Sequence, residues 1–188
     1  MQRRIAKRFS ALAVAVACLG LSAGLWAKEE FQARILKAGG ADADAARKII
    51  ISIESYSTTE EIKQLKETLY NGGYEPFMRA FRGISKGYIR PVGGRGVKVT
   101  IHAAHSHQTE KGRQILIFCE RQSWDVQAMK SFDRRFSFMV IELNINKKGN
   151  GDGKFFEQAN IRFTIQDTVE IEGYNSPPQQ LFGVSLLK

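Results

Sequence analysis

The sequence predicts a mainly-β fold of the α+β class, an antiparallel β-sandwich or barrel with a helical pair inserted near its start. Two observations carry this. From Lys86 to Leu187 the chain is a succession of short runs rich in β-branched and aromatic residues, divided by clusters of Gly, Pro, Asn and Asp. Only the stretch at about 58–82 spaces its apolar residues as helices do. Short strands joined by short turns pair antiparallel, because parallel pairing needs a long crossover after each strand.

The elements follow in order. Phe31-Gln-Ala-Arg-Ile-Leu-Lys37 and Lys48-Ile-Ile-Ile-Ser-Ile-Glu-Ser-Tyr56 read as an opening hairpin, with Gly39-Gly-Ala-Asp-Ala-Asp44 in its long loop. Thr58 with Glu61 three residues on is a capping box, which satisfies the free amides of a helix start. Ile62, Leu65, Leu69 and Tyr70 share one face of that helix, and Asn71-Gly-Gly73 ends it. Pro76 suits the first turn of a second helix that buries Phe77, Met78 and Phe81. Strands are predicted at 86–90, 97–107, 114–121, 137–146, 160–166, 168–174 and 180–187, with turns at 93–96, 110–112, 147–153 and 175–178. In the strand at 97–107, alternation puts Val97, Val99, Ile101 and Ala103 on the core face, with His105 and His107 finishing it at a wet rim. The stretch 122–135 follows no period.

Residues 1–27 read as an export signal: a basic head to Arg8, an apolar run from Ala11 to Leu25, and Ala27 before the charged Lys28-Glu-Glu30. The run is too short and too rich in Ala and Gly for a comfortable membrane span. The expectation is an exported protein, periplasmic or extracellular, with 28–188 as a single domain and no transmembrane segment in the mature chain. Ala15-Val-Ala-Cys18 offers an alternative, a lipoprotein anchored through Cys18. The leader holds four of the 28 basic residues and no acidic one, so 24 basic face 19 acidic residues afterwards, a net of +5 instead of +9. That is too mild to argue for nucleic acid. Cys119 is left alone, without an internal disulfide, in an apolar run that predicts a buried inert thiol.

Chemistry-bearing patterns are few. His102-x-x-His105-x-His107 holds all three histidines; His105 and His107 share a strand face as a candidate metal pair, and His102 points to the other face. The stretch 147–153, rich in Lys, Gly, Asn and Asp, lacks the spaced carboxylates of a calcium loop and the Lys-Ser/Thr of a phosphate loop, and reads as a hairpin turn. None of Ser85, Ser106, Ser123 and Ser137 lies in a nucleophile elbow, and no motif calls for a cofactor. Arg79, Arg82, Lys86, Arg90, Arg95 and Lys98, with Phe81 and Tyr88 interleaved, form a basic stretch that suits phosphates or anionic lipid headgroups and equally serves solubility.

Several segments together carry a resemblance: Ile51-Ser-Ile-Glu-Ser-Tyr-Ser-Thr58, Gly87-Tyr-Ile-Arg90, Phe136-Ser-Phe-Met-Val-Ile-Glu-Leu143, Val169-Glu-Ile-Glu-Gly-Tyr-Asn175 and Gln180-Leu-Phe-Gly-Val184. The chain resembles a group of exported bacterial proteins, frequent in acidobacteria, that carry no assigned function. It departs from that group at Arg121-Gln-Ser-Trp124, where the group has an Arg-Pro-Ile-Gly-like stretch, and in its three histidines. The resemblance transfers no site residue. The functional expectation is a non-enzymatic β domain that binds a protein or small ligand in the cell envelope. The alternatives are a metal-assisted hydrolase using His105 and His107, or a barrel that holds an apolar ligand.

Overall fold

The computed structural model describes residues 28–36, 46–93, 97–121, 137–163, 169–173 and 177–187. Residues 1–27 with Cys18, residues 37–45 and the aperiodic stretch 122–135 lie outside the described residues. The elements are β1 (Glu29–Leu36), β2 (Arg47–Ile53), α1 (Thr59–Gly72), α2 (Tyr74–Arg82), β3 (Gly87–Pro91), β4 (Val99–Ile101), β5 (Ala103–Thr109), β6 (Gly112–Glu120), β7 (Phe138–Asn146), β8 (Asn150–Phe163), β9 (Val169–Gly173) and β10 (Gln179–Leu187).

The ten strands among the described residues belong to one antiparallel sheet, in the order β4-β3-β2-β1-β10-β8-β7-β6-β5, with β9 attached to β8. The strands at the two ends of this order, β4 and β5, are separated in the chain by His102 alone. The peptide unit joining Ile101 to His102 is decisive. Its carbonyl accepts from the N–H of Lys86, beside β3, at 2.7 Å, and its N–H donates to the carbonyl of Phe118 in β6 at 2.9 Å. The unit is trans, so these two groups point in opposite directions and β3 and β6 flank one strand from either side. The sheet therefore wraps round on itself as an up-and-down barrel, β4 and β5 serving as a single kinked stave.

Inside, Phe31 and Ala33 of β1, Ile49 and Ile51 of β2, Ile115 and Ile117 of β6 and Ile141 and Leu143 of β7 meet in one buried cluster with residues from the other staves. The interior is filled with side chains, as small barrels are. Gly151 and Gly153 correct the predicted turn at 147–153. Both lie within β8, paired with β7 on one side and β10 on the other. A Cβ there would meet the carbonyl oxygens of Asn144 and Glu142, so these glycines allow close approach of strands, and only 147–149 turn.

The kinked stave breaks the predicted alternation. Ile101 and Ala104 join the interior, but Ala103 packs in a second cluster outside the barrel, and His102 lies beside Phe81 with ring centroids 4.8 Å apart. His102 and Ala103 both stand opposite Phe118, which makes a β-bulge: one extra residue, and a change of parity. His102 consequently shares the outer side with His105 and His107, and Ala103 leaves the core face. Val97 has interior parity yet is 65 % exposed, because the strand has there run past the barrel rim.

The outer cluster is where the helices dock. Leu65, Phe77, Met78 and Phe81 cover Phe118, Phe138, Val140 and Ile161. The capping box forms as predicted, with Thr58 N–H donating to Glu61 Oε2 at 2.9 Å and Glu61 N–H to Thr58 Oγ1 at 3.1 Å. Glu61 also accepts from Lys86 Nζ at 2.7 Å, which ties the helix start to the start of β3. Burial raises the Glu61 carboxyl, and the bonds from Lys86 and Thr58 outweigh it to leave the group below the ordinary carboxylate range. Tyr70, predicted on the buried face, instead stays exposed and donates its hydroxyl to the Phe163 carbonyl at 2.7 Å.

One end of the barrel interior is polar. Glu29 accepts from the Tyr56 hydroxyl at 2.6 Å and from Arg113 Nη2 at 2.8 Å, while the Arg113 guanidinium lies 5.7 Å from the centre of the buried Phe31 ring. No helix among the described residues is long and apolar enough to cross a membrane.

Candidate anion-binding face

Because Phe31, Ala33, Ile35, Ile49, Ile51, Ile89, Val99 and Ile101 point inward, their chain neighbours point outward. Gln32 and Arg34, Lys48 and Ile50, Tyr88 and Arg90, and Lys98 and Thr100 thus make the outer face of β1 to β4. Register decides which of them meet. Arg34 is directly across from Lys48, and Ile50 is directly across from Arg90. Ile89 pairs with Val99, which brings Arg90 and Lys98 to the next cross-strand position. Cations from four neighbouring chain segments therefore share one face on two adjacent rungs, Arg34 with Lys48 on one and Arg90 with Lys98 on the next.

The electrostatics of this face are unusual. Like charges directly opposite one another destabilise a sheet, and ordinary sheets place opposite charges there. Among the described residues, Arg34, Lys48 and Arg90 make no ion pair, and Lys98 lies over the Tyr88 ring with Nζ 3.5 Å from its centre. Glu30, the carboxylate of β1 on this face, is held by Lys28 at 3.1 Å. Its hydrogen bond to Lys28, and more weakly the nearby charge of Arg90, keep it below the ordinary carboxylate range. Ile50, between Gln32 and Arg90 on one rung, is only 5 % exposed and gives the face an apolar floor. The arrangement can hold an anion by charge and by hydrogen-bond donation, with bidentate capacity at both arginines.

The basic stretch read from the sequence does not survive as a unit. Arg82 binds both oxygens of Glu120 through Nε at 3.0 Å, and Lys86 is committed to Glu61 with its side chain 10 % exposed. Arg79 stands exposed on α2, and Arg95 lies outside the described residues. Only Arg90 and Lys98 remain, and they join Arg34 and Lys48, which the sequence reading passed over. The inward-pointing Phe31, Ala33 and Ile35 of β1 and Ile49 and Ile51 of β2 put both residues on the outer face, and only the register makes them neighbours.

His105 and His107 are exposed on the outer face of β5, across from Leu116 and Gln114 respectively. The Gln114 amide donates to Glu142 at 3.1 Å. Among the described residues, no three of His, Cys, Asp and Glu come together as a metal-holding group. The His102 Nδ1–H donates to the Ile84 carbonyl at 2.7 Å, where it fastens the chain leaving α2 to the bulge. Cys119 lies in the barrel interior, and burial pushes its thiol well above the ordinary range. Thiol-reagent labelling of Cys119 is accordingly expected to require global unfolding, and to follow the urea midpoint seen by circular dichroism; rapid labelling of native protein would contradict this packing.

A pocket of about 50 Å³ between Phe155–Gln158 and Pro177–Gln179 shares no lining residue with the cation face and has room for little more than water. No family model, curated protein or solved structure matches the chain.

Proposed function

We propose that this chain is an exported, non-enzymatic binding domain of the cell envelope, and that the outer face of β1 to β4 takes an anionic partner. The observation that carries the reading is the pairing of Arg34 with Lys48 on one rung and of Arg90 with Lys98 on the next, like charges set across from one another, with no carboxylate within ion-pair distance of Arg34, Lys48 or Arg90 among the described residues and Glu30, held by Lys28, reaching Arg90 only at longer range. Such pairing costs stability in the free protein, and an anion bound across the face removes that cost. The face has charge and hydrogen-bond donors in place, which suits holding an anionic partner.

Heparin–agarose, a generic polyanion, provides the test. The variant Arg34→Gln/Lys48→Gln/Arg90→Gln/Lys98→Gln is expected to elute at markedly lower salt than the parent. Removing four exposed cations elsewhere (Arg79→Gln/Lys111→Gln/Lys147→Gln/Lys148→Gln) changes net charge equally and is expected to shift elution much less. Equal shifts would show that net charge alone is being read, and would end the proposal. A second expectation runs against intuition: Lys48→Gln raises stability by about 0.5 kcal/mol, because the facing Arg34 loses a like-charged neighbour. Urea unfolding at low salt measures it.

A further inference from the structure

We infer that two copies of this chain pair through the open edge of β5, with His107 of each copy facing the other across a two-fold axis. β5 is paired with β6 on one side. On its other side, among the described residues, it is met at Ala104 alone, whose carbonyl accepts from the Ser57 N–H at 2.7 Å and whose N–H donates to Ser57 Oγ at 3.1 Å. The backbone groups of successive strand residues point to opposite sides, so those of Ser106 and Gln108 point as Ala104's do, away from β6. Among the described residues they have no hydrogen-bond partner. The open stretch therefore runs from His105 to Thr109, bounded by Ser57 at one end and by the turn at 110–111 at the other. His105, His107, Gln108 and Thr109 are exposed along it.

The shape of this edge selects its occupant. The open stretch is centred on His107, so a second copy laid antiparallel fits it from end to end without meeting Ser57. Ser106 and Gln108 then exchange N–H···O=C bonds with the second copy's Gln108 and Ser106, and His107 faces its counterpart at a non-hydrogen-bonded position, where Cα atoms lie about 4.5 Å apart. A slip along the edge in one direction drives the second strand into Ser57, and in the other leaves donors and acceptors unpaired. A second observation points the same way. The Ser106 hydroxyl is buried without a partner among the described residues, and the second copy's Gln108 stands directly across from Ser106 with an amide to donate. The edge also lacks the devices that keep strand edges apart, since His105 to Thr109 contains no Lys, Asp, Glu or Pro and keeps unbroken register with β6. β9 also has one neighbour among the described residues, but it carries Glu170 and Glu172, which self-pairing would set against like charges.

Sedimentation equilibrium of protein purified after export, with its N-terminus established by intact mass, is expected to show a reversible monomer–dimer equilibrium. Gln108→Pro removes the open-edge N–H of each copy and no bond to β6, and is expected to weaken the dimer about thirtyfold. His107→Lys places like charges across the axis and is expected to weaken it about fivefold. Both sites are exposed, and circular dichroism melts close to the parent's establish that the variants fold. Cross-linking reads the register. His107→Cys is expected to form a disulfide-linked dimer under mild oxidation, because facing positions meet the Cα spacing of a disulfide. His105→Cys, which faces the second copy's Thr109, is expected to form none, and Cys119 is buried in the interior and does not compete. A protein that stays monomeric at all concentrations, or a dimer unchanged by both Gln108→Pro and His107→Lys, overturns the inference. Equal cross-linking at the two cysteine positions overturns the two-fold at His107. The heparin result is independent of either outcome, so the anion-binding reading and the edge pairing stand or fall separately.

Discussion

Gly87→Val is expected to leave no folded barrel at room temperature, and Gly87→Ala to be destabilised by about 3 kcal/mol or more. Gly87 opens β3 and is paired on one side with Ile53 and on the other with Ile101, so it sits at the seam where the sheet meets itself. Its φ of +137° is one that side chains with a Cβ rarely adopt, and an added Cβ would meet the Ser52 carbonyl oxygen. That oxygen is backbone in a strand paired on both sides and cannot swing away. The neighbouring residue is equally constrained: the Lys86 N–H donates to Ile101, and its carbonyl accepts from Glu54 at 2.8 Å. Gly93→Ala is the matched control, since Gly93 also has a positive φ, of +73°, but a Cβ there meets nothing within 4 Å. Its cost is expected to be about 1 kcal/mol, the backbone component alone. Urea unfolding followed by circular dichroism separates the two. Equal losses at Gly87 and Gly93 would show that the seam carries no special closeness, and would weaken the closed arrangement built on it.

The strands, the helical pair and its capping box were legible because each rests on local pattern. Ile49 to Ile53 is β-branched, Thr58 and Glu61 have the right spacing, and Phe77, Met78 and Phe81 mark one helical face. What local pattern could not carry was parity after an irregularity. A single extra residue at His102 moved Ala103 out of the core and brought His102 to the side of His105 and His107, and nothing in the sequence around His102 announces a bulge. Gly151 and Gly153 misled for a related reason, since a glycine that admits a neighbouring strand looks like one that makes a turn. The candidate site failed in sequence on distance. Arg34 and Lys48 are separated by the loop of the opening hairpin, and loop length and register, not composition, placed them across from each other. Arg82 and Lys86, by contrast, looked like part of a basic surface until Glu120 and Glu61 arrived from elsewhere in the fold.

Arg113→Met is expected to cost about 3 kcal/mol, at the lower end for a broken buried ion pair because the two side chains keep 18 % and 22 % of their exposure. The substitution keeps the packing over Phe31 but leaves the Tyr56 hydroxyl as the one remaining partner, among the described residues, of a carboxylate inside the barrel end. Adding Glu29→Gln is expected to recover part of the loss, since the orphaned charge then disappears. A double-mutant cycle by urea unfolding isolates the coupling, and strict additivity would show that the pair is no more than a surface contact. Tyr56→Phe removes a hydrogen bond to a charged acceptor and is expected to cost about 2 kcal/mol at neutral pH. The same cluster sets an alkaline limit. Burial, and then the bond to Glu29, raise the Tyr56 hydroxyl above its ordinary range, and burial raises the Cys119 thiol in the same direction. In both cases the folded state holds its proton more tightly than the unfolded chain, so the stabilisation is complete below the unfolded values, about 8.5 for the thiol and about 10 for the hydroxyl, and declines as pH rises past them. Thermal midpoints are expected to fall steadily from about pH 8.5 upward by this linkage. The decline becomes shallower in Tyr56→Phe/Cys119→Ala even though that variant starts from a lower midpoint. A double variant as steep as the parent would place the alkaline transition elsewhere, and would remove the polar barrel end as its origin.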